Sequence, residues 1–227
     1  MFGAASGILL GILVGLRHAF EPDHLAAVST LMVDARGARR GAWMGALWGV
    51  GHTLSLLVVG SLLLATGAVL PARAAAAFEL GVSVMLVGLG VRAVVRALRE
   101  GRVGAPHHHA HGVADHLHPG PAAHVHVVGR TLAWRPLAIG LVHGLAGSGA
   151  LTALVFAELP SNAARLAYIG LFGTGSIVGM AVASAAATAS LGALVLDRGR
   201  SRALGVAIGG LSVAVGLVWG IAPLAAL

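Results

Sequence analysis

The chain has 227 residues, of which 57% are hydrophobic and only 10% are charged, and its formal net charge is +7. Soluble domains contain about 25% charged residues, so this composition and a mean hydropathy of +0.89 exclude an ordinary soluble domain and indicate a polytopic membrane protein. Cysteine is absent, which excludes disulfide scaffolds and thiolate metal sites. All 15 basic residues are arginine. Their positions orient a protein in a membrane, and we expect no nucleic-acid partner.

Six apolar segments follow one another along the chain and predict an all-α fold with six transmembrane helices. Short motifs of the first half recur in the second: "GLRH" as "GLVH", "LWGVGHTLS" as "LFGTGSIVG", and "LGV" as "LGV", all at offsets of 124 or 125 residues. Because each half holds three spans, the halves form two inverted three-helix repeats. The segments cover about residues 3–33, 42–69, 76–98, 136–158, 163–195 and 203–224.

Arginine is distributed unevenly over the five connections and predicts the orientation of the protein. The first, third and fifth connections with their flanks hold twelve arginines, whereas the second and fourth hold one each, Arg73 and Arg165. The positive-inside rule therefore places the odd connections in the cytoplasm and both termini outside. The predicted units are a first repeat over 1–99, a cytoplasmic loop over 100–134 and a second repeat over 135–227.

The octet "RHAFEPDH" at 17–24 interrupts the first apolar segment with five ionisable groups. Charged groups cost about 3 kcal/mol each at the centre of a transmembrane helix, so they indicate a cavity, mutual pairing or a bound ion. Arg17 and Glu21 are spaced for pairing on a helix. With neutral imidazoles on His18 and His24, and with Asp23 ionised, the octet keeps a charge of −1 and favours a cation.

Proline within the octet predicts a broken helix. On a continuous helix His18 and His24 would point about 120° apart and would not face one ion. Pro22 removes a backbone donor and ends or kinks the helix before it, and it also suits the first turn of a new helix. The matching segment of the second repeat, "HGLAGSGAL" at 143–151, has three glycines. We therefore expect the first and fourth helices to be broken at matching positions.

Two more histidines lie in apolar segments, His52 in "GHT" and His143 at the head of "HGLAGSGAL". Together with the octet they predict a metal site of imidazole and carboxylate ligands, which suits nickel, cobalt, zinc or ferrous ions. A structural role is the alternative, because single histidines also join transmembrane helices by hydrogen bonds. The predicted ligands are His18, Asp23, His24, His52 and His143, with Arg17, Glu21 and Pro22 setting the charge balance and the helix break.

The loop between the third and fourth segments holds eight of the twelve histidines among Pro, Gly and Ala. This composition predicts disorder, and His-rich tracts bind transition metals through neutral imidazoles. The alternative is a plain solvated linker. The candidate loop ligands are His107, His108, His109, His111, His116, His118, His124 and His126.

These motifs resemble those of the nickel/cobalt transporter superfamily. "RHAFEPDHL" is similar to its signature of His, four residues, Asp and His preceded by Arg, with Glu21 and Pro22 where the family usually has Asp and Ala. "GHT" resembles its second Gly-His motif, and "HGLAGSGALTAL" resembles the six-span branch known as urease-accessory-like or nickel/cobalt efflux proteins. The resemblance implies transport of Ni²⁺ or Co²⁺ across a bacterial inner membrane, with His18, Asp23, His24 and His52 as binding residues.

A transporter of divalent metal ions is thus the function that the sequence favours, with the ion as substrate and no prosthetic cofactor. Three alternatives stay open: a membrane-embedded metal-dependent hydrolase, an accessory protein that delivers metal to a nickel enzyme, and a six-span exporter of a different small solute. A cytoplasmic metallochaperone is a candidate partner. The hydrolase has no support from motifs, since neither H-E-x-x-H nor G-x-S-x-G is present. The sequence leaves the direction of transport, the metal, the coupling ion and the oligomeric state open.

Overall fold

The structure is a computed structural model that describes residues 2–32, 37–100, 107–111, 114–118, 125–127, 130–132, 134–146, 159, 161–194 and 198–227. This part of the chain contains seven α-helices. They are α1 (Phe2–His18), α2 (Pro22–Met32), α3 (Ala38–Thr66), α4 (Ala72–Glu100), α5 (Trp134–His143), α6 (Asn162–Leu194) and α7 (Arg198–Ala226).

Four of these helices are long and apolar enough to cross a membrane: α3, α4, α6 and α7. They coincide with the second, third, fifth and sixth predicted segments. The first predicted segment is divided between α1 and α2, which have 17 and 11 residues. The fourth begins as α5, which ends at His143, and residues 147–158 of that segment lie outside the described part of the chain. The protein is therefore a helical, multi-pass membrane protein.

The helices pack in pairs that join the two halves of the chain. α3 runs along α6, and α4 runs along α7. α1 packs against α6, and in a matching way α5 packs against α3. α2 lies among α4, α6 and α7, and its side chains Ala26, Ala27, Val28 and Met32 are part of the main apolar core. The short helix that follows the octet is thus enclosed by the long ones.

Glycine permits backbone contact at two of these junctions. A Cβ atom on Gly15 of α1 would collide with the carbonyl oxygen of Phe172 on α6. A Cβ on Gly140 of α5 would likewise collide with the carbonyl oxygen of Trp48 on α3. Small residues at helix contacts are the usual way for transmembrane helices to approach closely. These two contacts hold the ends of α1 and α5 against the long helices.

The buried face of α3 carries one of the candidate ligands. Gly45, Trp48, His52 and Leu56 follow at intervals of three or four residues and are all buried, as expected for one face of a helix. The helix ends at Thr66, and Gly67 closes the last turn in the left-handed conformation with a φ of +65°. α3 therefore carries His52 on the face that it buries against its neighbours.

The loop over 100–134 contains four short strands, where composition predicts disorder. Strand β1 (His107–His111) pairs antiparallel with β2 (Ala114–His118), and β3 (Val125–Val127) pairs with β4 (Arg130–Leu132). Pairing satisfies the backbone groups of these strands. An isolated two-stranded hairpin is marginally stable at best in water, and no alternation of apolar residues in the sequence indicates it.

The glycine contact at Gly140 gives a test of the packing. We expect Gly140→Ala to lower the free energy of unfolding by about 1–3 kcal/mol, because the new methyl group forces backbone apart. Thermal unfolding of the purified protein in detergent measures the loss.

The matched control is Gly88→Ala on α4, where a Cβ meets open space. This variant should melt at the same temperature as the unaltered protein or slightly above it, because alanine favours the helix. Equal melting of the two variants would contradict the packing described here.

Candidate metal centre

The helix break lies within the charged octet. α1 ends at His18 and α2 begins at Pro22. Between them the backbone N–H of Glu21 donates to the carbonyl of His18 at 3.0 Å, which closes a tight turn. The N–H of Leu25 then donates to the carbonyl of Glu21 at 2.9 Å as the first bond of α2. Pro22 occupies the first position of the new helix, where a missing N–H leaves no bond unmade.

This turn brings together two histidines that a continuous helix would separate. The ring centroids of His18 and His24 lie 4.4 Å apart. Both side chains are buried, with exposures of 1%. The break therefore has the geometric effect that the sequence predicts for it.

α3 and α5 each add one buried histidine to this pair. The ring of His52 lies 5.2 Å from that of His18 and 5.4 Å from that of His24, measured between centroids. His143 is the last residue of α5 and stacks on His24 at 4.1 Å with an interplanar angle of 29°. Four imidazoles from three separate regions of the chain thus share one buried cluster.

Asp23 holds two of these rings in place. One carboxylate oxygen, Oδ1, lies 3.0 Å from Nδ1 of His24 and accepts the backbone N–H of His24 at 2.9 Å. The other oxygen, Oδ2, lies 3.0 Å from Nε2 of His143. The carboxylate is buried, with 3% exposure. Because a buried charge is costly unless it is hydrogen-bonded, these contacts explain how the anion is tolerated.

Several ring nitrogens in the cluster are buried without an aligned hydrogen-bond partner. They are both nitrogens of His18 and His52, Nε2 of His24 and Nδ1 of His143. A buried polar atom left unpaired costs about 1–3 kcal/mol. Imidazole nitrogens clustered in a buried site are suited to bind a metal cation as ligands.

Two groups of ligand atoms are close enough together to hold a metal ion. His18, His24 and His52 form the first group, and Asp23, His24 and His143 form the second. Within each group the ligand atoms lie within 4.8 Å of one another. The donors are imidazole and carboxylate alone, which suit nickel, cobalt, zinc and ferrous ions. The structure therefore brings all five predicted ligands into one cluster.

Aromatic side chains line the cluster, and the sequence analysis did not single them out. The indole of Trp48 stacks on His24 at 5.4 Å and lies 5.6 Å from His143. The ring of Phe172 lies 5.2 Å from His18. Two signals in the sequence point to these residues: Trp48 precedes His52 by four positions on one helix face, and Phe172 occupies the matching place in the second repeat.

The predicted pair of Arg17 with Glu21 is not formed. Oε2 of Glu21 lies 3.0 Å from Nδ1 of His18 instead, although this contact is not aligned as a hydrogen bond. Among the described residues Arg17 is exposed and has no ion-pair partner. The reason is the helix break itself, since i,i+4 spacing brings two side chains together only where the helix is continuous.

The loop histidines are described by their backbone alone. In the hairpin of β1 and β2, His107 lies opposite His118 and His109 lies opposite His116. His126 lies in β3, opposite Thr131. His124 lies outside the described residues. The strands contain His107, His108, His109, His111, His116, His118 and His126.

Comparison with known proteins gives two matches. The family model of the high-affinity nickel-transport protein, NicO, matches residues 4–227. The urease accessory protein UreH of Bacillus sp. (strain TB-90) is 31% identical over 174 residues, which cover 76% of this chain and 72% of that protein. No solved structure matches the chain.

The family match spans all the residues that form the buried cluster, and the relative is similar over most of its own length. Both findings agree with the resemblance that the motifs carry. They identify a transporter family, so the chain is not an enzyme. This histidine-lined membrane protein belongs to the NicO family of high-affinity nickel-transport proteins.

Proposed function

We propose that the protein carries Ni²⁺ or Co²⁺ across the bacterial cytoplasmic membrane and binds the ion at the buried cluster. The observation that carries this proposal is the convergence of four imidazoles and one carboxylate from the α1–α2 break, α3 and α5. Buried ionisable groups at such helix interruptions are a hallmark of transport sites. The ligands are His18, Asp23, His24, His52 and His143.

The donor set supports a divalent ion of the nickel and cobalt type. Imidazole nitrogen and carboxylate oxygen replace water around such ions, whereas Cu⁺ selects the sulfur ligands that this cluster lacks. Asp23 contributes one negative charge and lowers the cost of bringing a dication into a dry site. Binding requires neutral imidazoles.

The six spans are proposed to form two inverted repeats. Reciprocal contacts support this arrangement. Gly15 of the first half contacts the backbone of Phe172 in the second, and Gly140 of the second half contacts the backbone of Trp48 in the first. The two glycines are 125 residues apart and the two aromatic residues are 124 residues apart, so the second contact repeats the first with the halves exchanged. The aromatic contacts show the same exchange between halves, because His18 lies beside Phe172 and His143 lies beside Trp48. Related halves packed around one site are the usual basis of alternating access.

The orientation is proposed from the arginine distribution. Twelve of the fifteen arginines lie in or beside connections one, three and five. The positive-inside rule then places these connections, with the His-rich loop, in the cytoplasm and both termini outside. The bilayer is the bacterial inner membrane in this proposal.

We propose that the His-rich loop is a second, cytoplasmic metal-binding region. The register of β1 and β2 supports it, because cross-strand neighbours have Cβ atoms about 4.5–5.5 Å apart. In this register His107 is the cross-strand partner of His118, and His109 is the cross-strand partner of His116. Two pairs of loop histidines are therefore direct neighbours across the strands, a spacing that suits shared ions.

A second candidate function is delivery of metal to a nickel enzyme. The relative's description as a urease accessory protein favours it, and the loop offers a site from which a cytoplasmic metallochaperone could receive ions. The two functions differ in what the buried cluster must do. A transporter needs the cluster for flux through the bilayer, whereas a docking and delivery protein needs the loop.

The transport function is tested by His24→Ala. We expect this change to abolish uptake of radioactive Ni²⁺ into proteoliposomes, because His24 contacts Asp23, His18 and His143 at the centre of the cluster. The matched control is His108→Ala in the loop, which should keep full flux. Size-exclusion elution verifies that both variants fold. Undiminished flux in His24→Ala would refute the ligand role.

In cells, the change in accumulated radioactive nickel and cobalt on expression of the protein reports the metal and the direction together. The sign of the change distinguishes import from export. A delivery protein without transport activity leaves accumulation unchanged and instead alters the nickel content of the recipient enzyme.

Two double variants, each of which lacks two loop histidines, test the loop proposal. We expect His109→Ser with His116→Ser to weaken Ni²⁺ binding by the loop more than His108→Ser with His126→Ser, because only His109 and His116 are cross-strand partners in the register. Isothermal titration of the full-length protein measures the affinity. Equal losses would show that histidine number, and not register, governs binding, and unchanged binding in both would reject the loop site.

A further inference from the structure

We propose that the buried cluster holds the ion in two alternative ligand sets that share His24, so that one ion is handed from one set to the other. This inference rests on the proposed transport of a divalent cation and specifies how the same cluster handles it. The imidazole set is His18, His24 and His52. The carboxylate set is Asp23, His24 and His143.

The carboxylate set is already spaced for coordination. Oδ1 of Asp23 lies 3.0 Å from Nδ1 of His24, and Oδ2 lies 3.0 Å from Nε2 of His143. The two nitrogens contact different oxygens of one carboxylate, and one ligand atom from each of the three residues lies within 4.8 Å of the others, close enough to hold one ion.

The imidazole set uses nitrogens that make no aligned hydrogen bond. Nε2 of His24 and both ring nitrogens of His18 and His52 are buried without an aligned hydrogen bond. The three ring centroids lie 4.4, 5.2 and 5.4 Å apart. In this set Asp23 is not a ligand. It instead accepts a hydrogen bond from Nδ1–H of His24 and orients the ring, as carboxylates commonly do behind metal-bound histidines.

The chemistry of one imidazole makes the two sets mutually exclusive. A neutral imidazole has one protonated nitrogen and one lone pair. With the proton on Nδ1, His24 donates to Asp23 and offers Nε2 to the imidazole set. With the proton on Nε2, His24 offers Nδ1 to the carboxylate set. The ring carries one proton in both states, so the cluster binds one ion at a time.

The sharing of His24 has a consequence for the path of the ion. His18 ends α1 and His143 ends α5, and these helices belong to the two halves of the chain. Each set thus contains the terminal histidine of a different half. An ion that moves between the sets keeps contact with His24 and exchanges His18 and His52 of the first half for Asp23 of the same half and His143 of the second.

The experiment measures Co²⁺ binding and its visible absorption spectrum in detergent-solubilised, full-length protein. The eight loop histidines are replaced by serine in every sample so that only the cluster binds. We expect His18→Ala and His52→Ala to keep one Co²⁺ per chain with one common spectrum. Asp23→Asn and His143→Ala should keep one Co²⁺ with a second common spectrum, because only imidazoles remain as protein ligands.

His24→Ala should weaken Co²⁺ binding by at least about a hundredfold, since loss of an outer-shell partner alone costs 10–100-fold. The double variant His18→Ala with His143→Ala should bind as weakly, because each change removes one set. If either variant fails to elute as folded protein, His24→Gln and His18→Gln with His143→Gln replace them.

Two results would overturn the inference. The first is equal loss of Co²⁺ in all four single variants, which indicates one site that uses every ligand at once. The second is retained binding in which the spectra do not pair as stated. If no Co²⁺ binds to the unaltered cluster, the proposed metal transport fails with it. Binding without the two spectral classes removes only the shared-ligand mechanism.

Discussion

The position of every ligand depends on the interruption of one helix at His18. If α1 continued past His18, the two histidines of the octet would point in different directions, and Asp23 would lie in the protein interior without its present partners. The turn before Pro22 avoids both arrangements. It places His18 against His24, and it lets the carboxylate of Asp23 contact His143 at the end of α5. Backbone hydrogen bonds close the turn, and Asp23 contacts His24 and His143 beside it, as an interrupted helix among apolar segments requires.

Much of this arrangement could be predicted from the sequence, for reasons of differing strength. The membrane class followed from hydropathy, and the break followed from proline inside an otherwise continuous segment. The five ligand candidates followed from the cost of ionisable groups among apolar residues. The motif repeat also anticipated that His18 and His143 occupy matching positions, although it could not say which side chains touch.

Other features depend on three-dimensional contacts that no spacing rule contains. The i,i+4 relation of Arg17 and Glu21 suggested an ion pair, but the rule assumes the helix that Pro22 removes. Asp23 contacts both His24 and His143, and its contact with His143 joins residues that are 120 positions apart. The hairpin of β1 and β2 has no apolar alternation to predict it. The contact of Trp48 with His143, beside its stacking on His24, requires the close approach of α3 and α5 at Gly140.

That stacking has a practical consequence. Trp48 is fully buried beside two ligand rings, whereas the indoles of Trp43, Trp134 and Trp219 are 53, 46 and 38% exposed. Ni²⁺ or Co²⁺ bound in the cluster would lie next to the indole of Trp48 and quench its fluorescence. The fluorescence of the three more exposed indoles would report on the surrounding lipid or detergent. The chain therefore carries an intrinsic fluorescent reporter at the proposed metal site, and binding there can be followed without labels.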